Sequence, residues 1–256
     1  MVKSEIPKII HLCWLSGDRY PEKIEKCISS WKKNLNGYEI ILWDKNKFDL
    51  NSVKWVKESY ENKMYAFASD YIRFYALYYF GGIYLDSDVE IIKSFDDLLN
   101  CRSFIGYEFT GVPEAAVIGA MPKQKWIKEC LDFYKNKSFF DKNGKMNRVV
   151  LPMILKAIYE KFSGVKMFDN STIQIWDDNY IYPYQYFSPR NTFSKKIELN
   201  HNTYAIHHFN ASWLSKSPSL KQKKNIHVNL LKFFGRKNYL KLLYFIRTYI
   251  KNVKIH

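Results

Sequence analysis

Residues 66–90 read Ala-Phe-Ala-Ser-Asp-Tyr-Ile-Arg-Phe-Tyr-Ala-Leu-Tyr-Tyr-Phe-Gly-Gly-Ile-Tyr-Leu-Asp-Ser-Asp-Val-Glu, and this stretch decides the fold. Its first part has the spacing of a helix: Phe67, Tyr71, Phe74, Tyr75 and Tyr78 recur at three- and four-residue intervals, with no Pro or Gly among them. Gly81-Gly82 ends it, because a helix C-terminal cap wants the positive φ that glycine adopts freely. Ile83-Tyr84-Leu85 then predicts a short strand running into Asp86-Ser87-Asp88. On an extended chain, residues i and i+2 point to one side, so both carboxylates are expected to face the same way. Such a pair repels and loses solvation unless a cation intervenes. A hard divalent ion with phosphate oxygens completing its shell removes that cost. The bland alternative is an acidic turn after an edge strand. Asp70 and Arg73 share a face of the helix, and alone they predict only a surface ion pair worth about 0.5 kcal/mol or less.

Outward from this block, strands and helices alternate. Residues 6–12 predict a buried strand closed by Cys13-Trp14, and 21–34 a helix with Pro21 first and a Lys-rich end that suits its dipole. Residues 38–43 predict a second strand ended by Asp44, and 50–60 another helix. The pattern is that of an α/β protein with a mostly parallel sheet. Ligands of such sheets bind beyond the carboxyl ends of the strands, where Trp14, Asp44, Asp86 and Asp88 are all expected. Further strands are predicted at 104–107 and 115–118, with helices at 124–136 and 150–162. Residues 176–189 are dense in aromatics, which suits packing or sugar stacking.

The 256 residues suit one domain with a sizeable core and a helical appendage. A 47% hydrophobic and 18% aromatic content excludes a disordered chain. Four scattered cysteines without a Cys-x-x-Cys predict reduced thiols and argue against structural zinc. The first residues show no apolar signal core, and no run of eighteen apolar residues exists to span a membrane, so a cytoplasmic location is expected. The net charge of +15 is uneven: no Asp or Glu follows Glu198, and eleven Lys and Arg follow Ser215. Ser215-Lys216-Ser217-Pro218-Ser219 reads as a hinge. The division is therefore residues 1–214 as the catalytic unit and 215–256 as one or two basic amphipathic helices. This tail is either a solvated face or a surface for an anionic membrane, with Leu, Phe and Tyr flanked by basic residues. Charge alone also gives nucleic-acid affinity, but no nucleic-acid-binding motif is recognisable, so no nucleic-acid partner is expected.

Taken together, Ser-Asp-x-x-Arg, the aromatic helix and Gly-Gly-Ile-Tyr-Leu-Asp-x-Asp resemble the sugar-binding region of glycosyltransferase family 32. The same spacing occurs in the large clostridial glucosylating toxins. Ile6-Pro7-Lys8-Ile9-Ile10-His11-Leu12-Cys13-Trp14, the tyrosine–proline segment at 181–189 and His207-His208-x-x-x-Ser212-Trp213 extend the resemblance over about residues 5–214. It departs at 147–152, where many members have Thr-Gly-Pro, and at 105–120, where Glu108 and Glu114 are either catalytic carboxylates or, as expected here, solvated loop charges. The resemblance implies a Rossmann-like GT-A nucleotide-sugar-binding fold with a basic helical extension. Residue by residue it implies that Trp14 packs on the donor base, Asp70 binds donor-sugar hydroxyls and Arg73 contacts the sugar or diphosphate. Tyr84 would hold a donor phosphate, Asp86 would touch the ribose and, through water, the metal, and Asp88 would ligate the metal directly. Asp70, Arg73, Asp86 and Asp88 form the expected catalytic set. His208 is placed as third metal ligand with His207 as its rival, Ser212 and Trp213 donate to the diphosphate, and His11 is structural.

The expected activity is a retaining hexosyl transfer dependent on Mn²⁺ (or Mg²⁺). The donor is a nucleotide sugar, with a UDP-sugar favoured, and the acceptor a glycan or lipid-linked glycan of a capsular or cell-surface polysaccharide. Such an enzyme is expected on the cytoplasmic face of a bacterial membrane, held there by the basic tail. The alternatives are a toxin-like protein glycosyltransferase and a basic membrane- or nucleic-acid-binding module with a degenerate site.

Overall fold

The computed structural model describes residues 5–164, 166–167 and 171–210, and a helix at 220–250. The chain begins with β1 (Ile9–Cys13), α1 (Glu22–Asn34), β2 (Glu39–Trp43), α2 (Lys54–Glu61), α3 (Tyr65–Phe80) and β3 (Gly82–Leu85). It continues through β4 (Val89–Ile91), β5 (Ser103–Tyr107), β6 (Pro113–Ala120), α4 (Lys125–Lys135) and α5 (Leu151–Ser163). The last elements are β7 (Gln174–Trp176), β8 (Asn179–Tyr182), β9 (Ala205–His207) and α6 (Leu220–Ile250).

Seven strands form one sheet in the order β2-β1-β3-β6-β5-β8-β7, and β4 pairs with β9 in a small second sheet. β1 pairs in parallel with both β2 and β3, because helices carry the chain back between them. The order reverses beside the Asp-x-Asp turn: β6 is antiparallel to β3 and to β5, while β5 and β8 are parallel. Among the aromatics of 176–189 the chain forms a tight hairpin, β7 against β8, turned by Asp177 and Asp178 at φ 45° and 60°.

Helix α3 is apolar on nearly all sides and is therefore enclosed: Phe67, Ala68, Ile72, Phe74, Ala76 and Leu77 are buried. Gly81 and Gly82 (φ 67° and 99°) swing the chain from α3 into β3. A Cβ at Gly82 would lie 2.5 Å from the Ile9 carbonyl, so only glycine lets β3 approach β1 here. His11 locks the same corner. Its Nε2–H donates to the Gly81 carbonyl at 2.6 Å, and its Nδ1 accepts from the Trp43 indole at 3.1 Å.

With both ring nitrogens so engaged His11 is neutral, and burial lowers its pKa to about 4. A depressed histidine contributes stability that is whole above its unfolded pKa of about 6.5 and is lost as pH falls through the folded value. Chemical denaturation is expected to show a loss on the order of 3 kcal/mol between pH 6.5 and 4 from this residue. The loss should be absent from His11→Gln measured over the same range.

Helix α6 bends at Gly235 (φ 69°) and lays Tyr239, Leu240 and Leu243 into the main core. Arg236 stacks over Tyr184 at 4.0 Å, and Lys156 of α5 lies over Tyr244 at 4.2 Å. The basic segment thus shares the core of the α/β unit, because its own apolar residues find cover there. Phe233, 83% exposed, and Phe245, 57% exposed, face outward. No helix among the described residues is long and apolar enough to cross a membrane. The hinge expected at 215–219 lies outside the described residues.

Candidate active site

A cleft of about 900 Å³ opens where β1 and β3 end, lined among others by Trp14, Asp70, Arg73, Asp86, Asp88 and His207. Asp86 and Asp88 sit in a turn, not on an extended strand. Asp86 N–H is tied to the Ala116 carbonyl, and Val89 N–H closes the turn on the Asp86 carbonyl at 3.0 Å. The two acids converge because of this turn. Helix α1 pins β4 just beyond them: the Trp31 indole donates to the Val89 carbonyl at 2.6 Å, and Asn34 to that of Ile91 at 2.8 Å.

Arg73 is the centre of the buried half of the cleft. Its Nη2 lies 3.1 Å from Asp70 Oδ1 and 3.4 Å from Asp86 Oδ1, and its Nη1 donates to the Ala115 carbonyl at 2.6 Å. The guanidinium stacks 4.5 Å from the centre of the Tyr84 ring. Asp70 and Arg73 are 7% and 4% exposed, so this is no surface ion pair: the helix that carries it is enclosed. Burial pushes the Asp70 carboxyl up to about 7, against the pull of Arg73 and with a further push from Asp86. Burial likewise raises Asp86, opposed by Arg73. Tyr84 turns its hydroxyl to Asp86 Oδ1 at 3.0 Å, which orients that carboxylate.

Asp88 faces the other wall. Asn210 N–H donates to its Oδ2 at 2.7 Å, and His207 Nε2 lies 3.4 Å from its Oδ1. Burial opposes its charge, yet the hydrogen bonds and charge of His207 and the Asn210 amide hold its pKa below the usual value. His207 is pushed the other way. Burial would lower it, but Glu114 and Asp88 raise it well above an ordinary histidine.

The structure separates the two rival histidines. His207, not His208, stands with Asp86 and Asp88, one ligand atom from each lying within 4.8 Å of the others. His208 follows the last residue of β9 and points away, its Nε2 2.8 Å from Glu90 Oε2. Glu114 is corrected: it is 1% exposed on β6 and 3.2 Å from His207 Nδ1, where a solvated loop charge was expected. An acid inside the apolar run Pro113–Ala120 was the available signal. Trp14 lines the cleft, half-buried, its indole donating to the Asp18 carbonyl at 2.8 Å and its ring edge-on to Tyr20. Asp44 caps the amides of Asn46 and Lys47 and does not line the cleft. Val150, Leu151 and Pro152 line its far side. Ser212 and Trp213 lie outside the described residues.

Two carboxylates and one imidazole make a mixed donor set: the hard carboxylate oxygens suit Mn²⁺ or Mg²⁺, and the borderline imidazole nitrogen favours Mn²⁺ of the two. Burial is the main cause that raises Asp86, and a bound cation would offset that cost of carrying charge away from water.

Residues 21–105 match the family described as glycosyltransferase sugar-binding region containing DXD motif. The mannosyl phosphorylinositol ceramide synthase of Saccharomyces cerevisiae is 25% identical over 197 residues, 72% of this chain and 50% of that protein. Inositol phosphoceramide mannosyltransferase 1 of Schizosaccharomyces pombe is 30% identical over 112 residues, 40% of this chain and 34% of that protein. The chain thus spans half or less of the length of these yeast relatives. A solved glycosyltransferase structure, PaToxG, superposes with a TM-score of 0.50 at 21% identity, covering 62% of this chain and 70% of that one, a likeness of fold. The Asp-x-Asp turn at the end of β3 thus lies inside the segment similar to the DXD sugar-binding region, on an α/β scaffold whose fold is like that of a solved glycosyltransferase.

Proposed function

We propose that this protein transfers a hexosyl group from a nucleoside-diphosphate sugar to a glycan or lipid-linked glycan, with retention of configuration. Asp86, Asp88 and His207 would hold Mn²⁺ or Mg²⁺. The observation that carries this is their convergence in the same cleft as Trp14, Asp70 and Arg73. When bound, the cation would neutralise charge growing on the diphosphate leaving group. Trp14 offers a ring to the base, and Asp70 offers a carboxylate to sugar hydroxyls. Arg73 holds Asp70 and Asp86 together against their repulsion and brings positive charge to the buried wall. Asp70 and Asp86 share Arg73, and Asp88 and Glu114 share His207, so these four acids are engaged with cationic or imidazole groups, which supports acceptor attack assisted by the leaving diphosphate over double displacement. The names of the yeast relatives support an acceptor borne on a lipid and add mannosyl to the sugars worth testing.

Incubating the enzyme with UDP- and GDP-sugars and Mn²⁺ should release nucleoside diphosphate from one donor. NMR of the transferred sugar should show the donor's own anomeric configuration. An inverted product would overturn retention, and no release from any donor would count against the transferase.

We place the enzyme at the cytoplasmic face of a bacterial membrane, docked through α6. Exposed Phe233 and Phe245 beside Lys237 and Lys241, with no acid after Glu198, support an anionic lipid surface. The expected outcome is co-sedimentation with phosphatidylglycerol vesicles but not with phosphatidylcholine, and release by salt.

A further inference from the structure

Glu114 is a buried carboxylate to which the proposed transfer assigns no task. Its Oε1 accepts the Ala116 N–H at 2.9 Å, which anchors the group to its own strand. Both its oxygens lie 3.2 Å from Nδ1 of His207. Across the ring, Nε2 lies 3.4 Å from Asp88 Oδ1, on the side of the Asp86–Asp88 pair. Phe209 packs against the imidazole, ring centres 3.9 Å apart, and limits its rotation.

A carboxylate can only accept, so it favours a proton on the nitrogen that faces it. A neutral imidazole carries one proton, and with that proton on Nδ1 its Nε2 lone pair is free. Histidines that bind metals through one nitrogen are commonly fixed in this way through the other. We propose that Glu114 is a positioning residue: it keeps a proton on Nδ1 of His207, so that a cation arriving between Asp86 and Asp88 displaces the proton on Nε2 and meets that nitrogen's lone pair. This rests on the metal-dependent reading of the cleft. It goes further in naming a residue outside the cation's own donors on which cation affinity depends.

The discriminating variant is Glu114→Gln, equal in size. The Ala116 N–H would hold the amide oxygen, which puts the amide NH₂ in the place of Oε2. The proton on Nδ1 then loses one of its two acceptors and meets a donor, so the tautomer with the proton on Nε2 gains, and that proton blocks the cation. Titration calorimetry with Mn²⁺ alone is expected to show a loss of about 10- to 100-fold in affinity. ¹⁵N–¹H correlation spectra of His207 in the presence of Mg²⁺ should show Nδ1–H in the wild type and Nε2–H in Glu114→Gln. A packing role would be preserved by Gln, and loss of charge alone would leave the tautomer unchanged. Wild-type affinity in a folded Glu114→Gln, or a wild-type His207 protonated on Nε2 with Mg²⁺ bound, overturns the proposal. If the variant does not fold, the wild-type spectrum alone decides. A wild type that binds no Mn²⁺ overturns the metal-dependent reading itself, a distinct result.

Discussion

Asp88→Ala is expected to lower kcat/KM for donor turnover by roughly a thousandfold. Stabilising a leaving diphosphate with a divalent cation is worth several kcal/mol, and each 1.4 kcal/mol is about tenfold in rate. Asp88 stands against His207 and accepts the Asn210 amide, so its loss would remove one proposed cation ligand and loosen the wall that carries His207. The fold should survive, because Glu114 still pairs with His207 and because Asp88 itself is only partly buried. Steady-state release of nucleoside diphosphate with saturating Mn²⁺ measures the effect, and circular dichroism checks the fold. A fall of less than tenfold would mean that Asp88 is not a cation ligand.

Arg73→Met is expected to be the most destabilising single change in the cleft. It leaves Asp70 and Asp86 facing each other without their shared cation and removes the donor to the Ala115 carbonyl. Breaking a buried ion pair by deleting one partner costs about 3–5 kcal/mol. The cost should also depend on pH. Asp70 already titrates near 7 in the folded protein, well above its unfolded value. A carboxylate raised in this way contributes its stability in full at low pH and loses it as pH rises through the folded pKa. Without Arg73 that pKa rises further, so the variant should lose most relative to wild type at pH 8 and least near pH 4. Urea denaturation at both values tests this. Equal losses at the two would show that Asp70 does not depend on Arg73 for its charge.

Much of this site is legible in the amino-acid sequence, for reasons that particular residues make plain. The spacing of Phe67, Tyr71, Phe74 and Tyr78 and the Gly81-Gly82 pair after them mark α3 and its end, since local chemistry decides both. Asp86 and Asp88 are legible as a pair, although a turn and not strand alternation brings them together. The burial of Asp70 and Arg73 is legible in principle, because a helix apolar on nearly every side is an enclosed helix. The choice between His207 and His208 is not. Neighbours at the end of a strand face opposite ways, and only the pairing of Val89 with His207 sets which one turns inward. Glu114 is only half legible. Its place inside the apolar run Pro113–Ala120 signals burial, but its partner lies 93 positions away and nothing local names it. The docking of α6 onto the core depends likewise on contacts with Tyr184 and Lys156, far away in sequence.

The most direct test is a thermal-shift screen of UDP- and GDP-sugars, with and without Mn²⁺, on wild type and Asp88→Ala. A ligand at a hundred times its Kd adds about 2.7 kcal/mol to the folded state. For a chain of this size that is a rise of roughly 5–10 °C. A rise with one donor, dependent on Mn²⁺ and absent from Asp88→Ala, is the expected result and would name the sugar. No rise with any donor in a folded sample, or a rise indifferent to both Mn²⁺ and Asp88, would contradict a nucleotide-sugar site built on Asp86, Asp88 and His207.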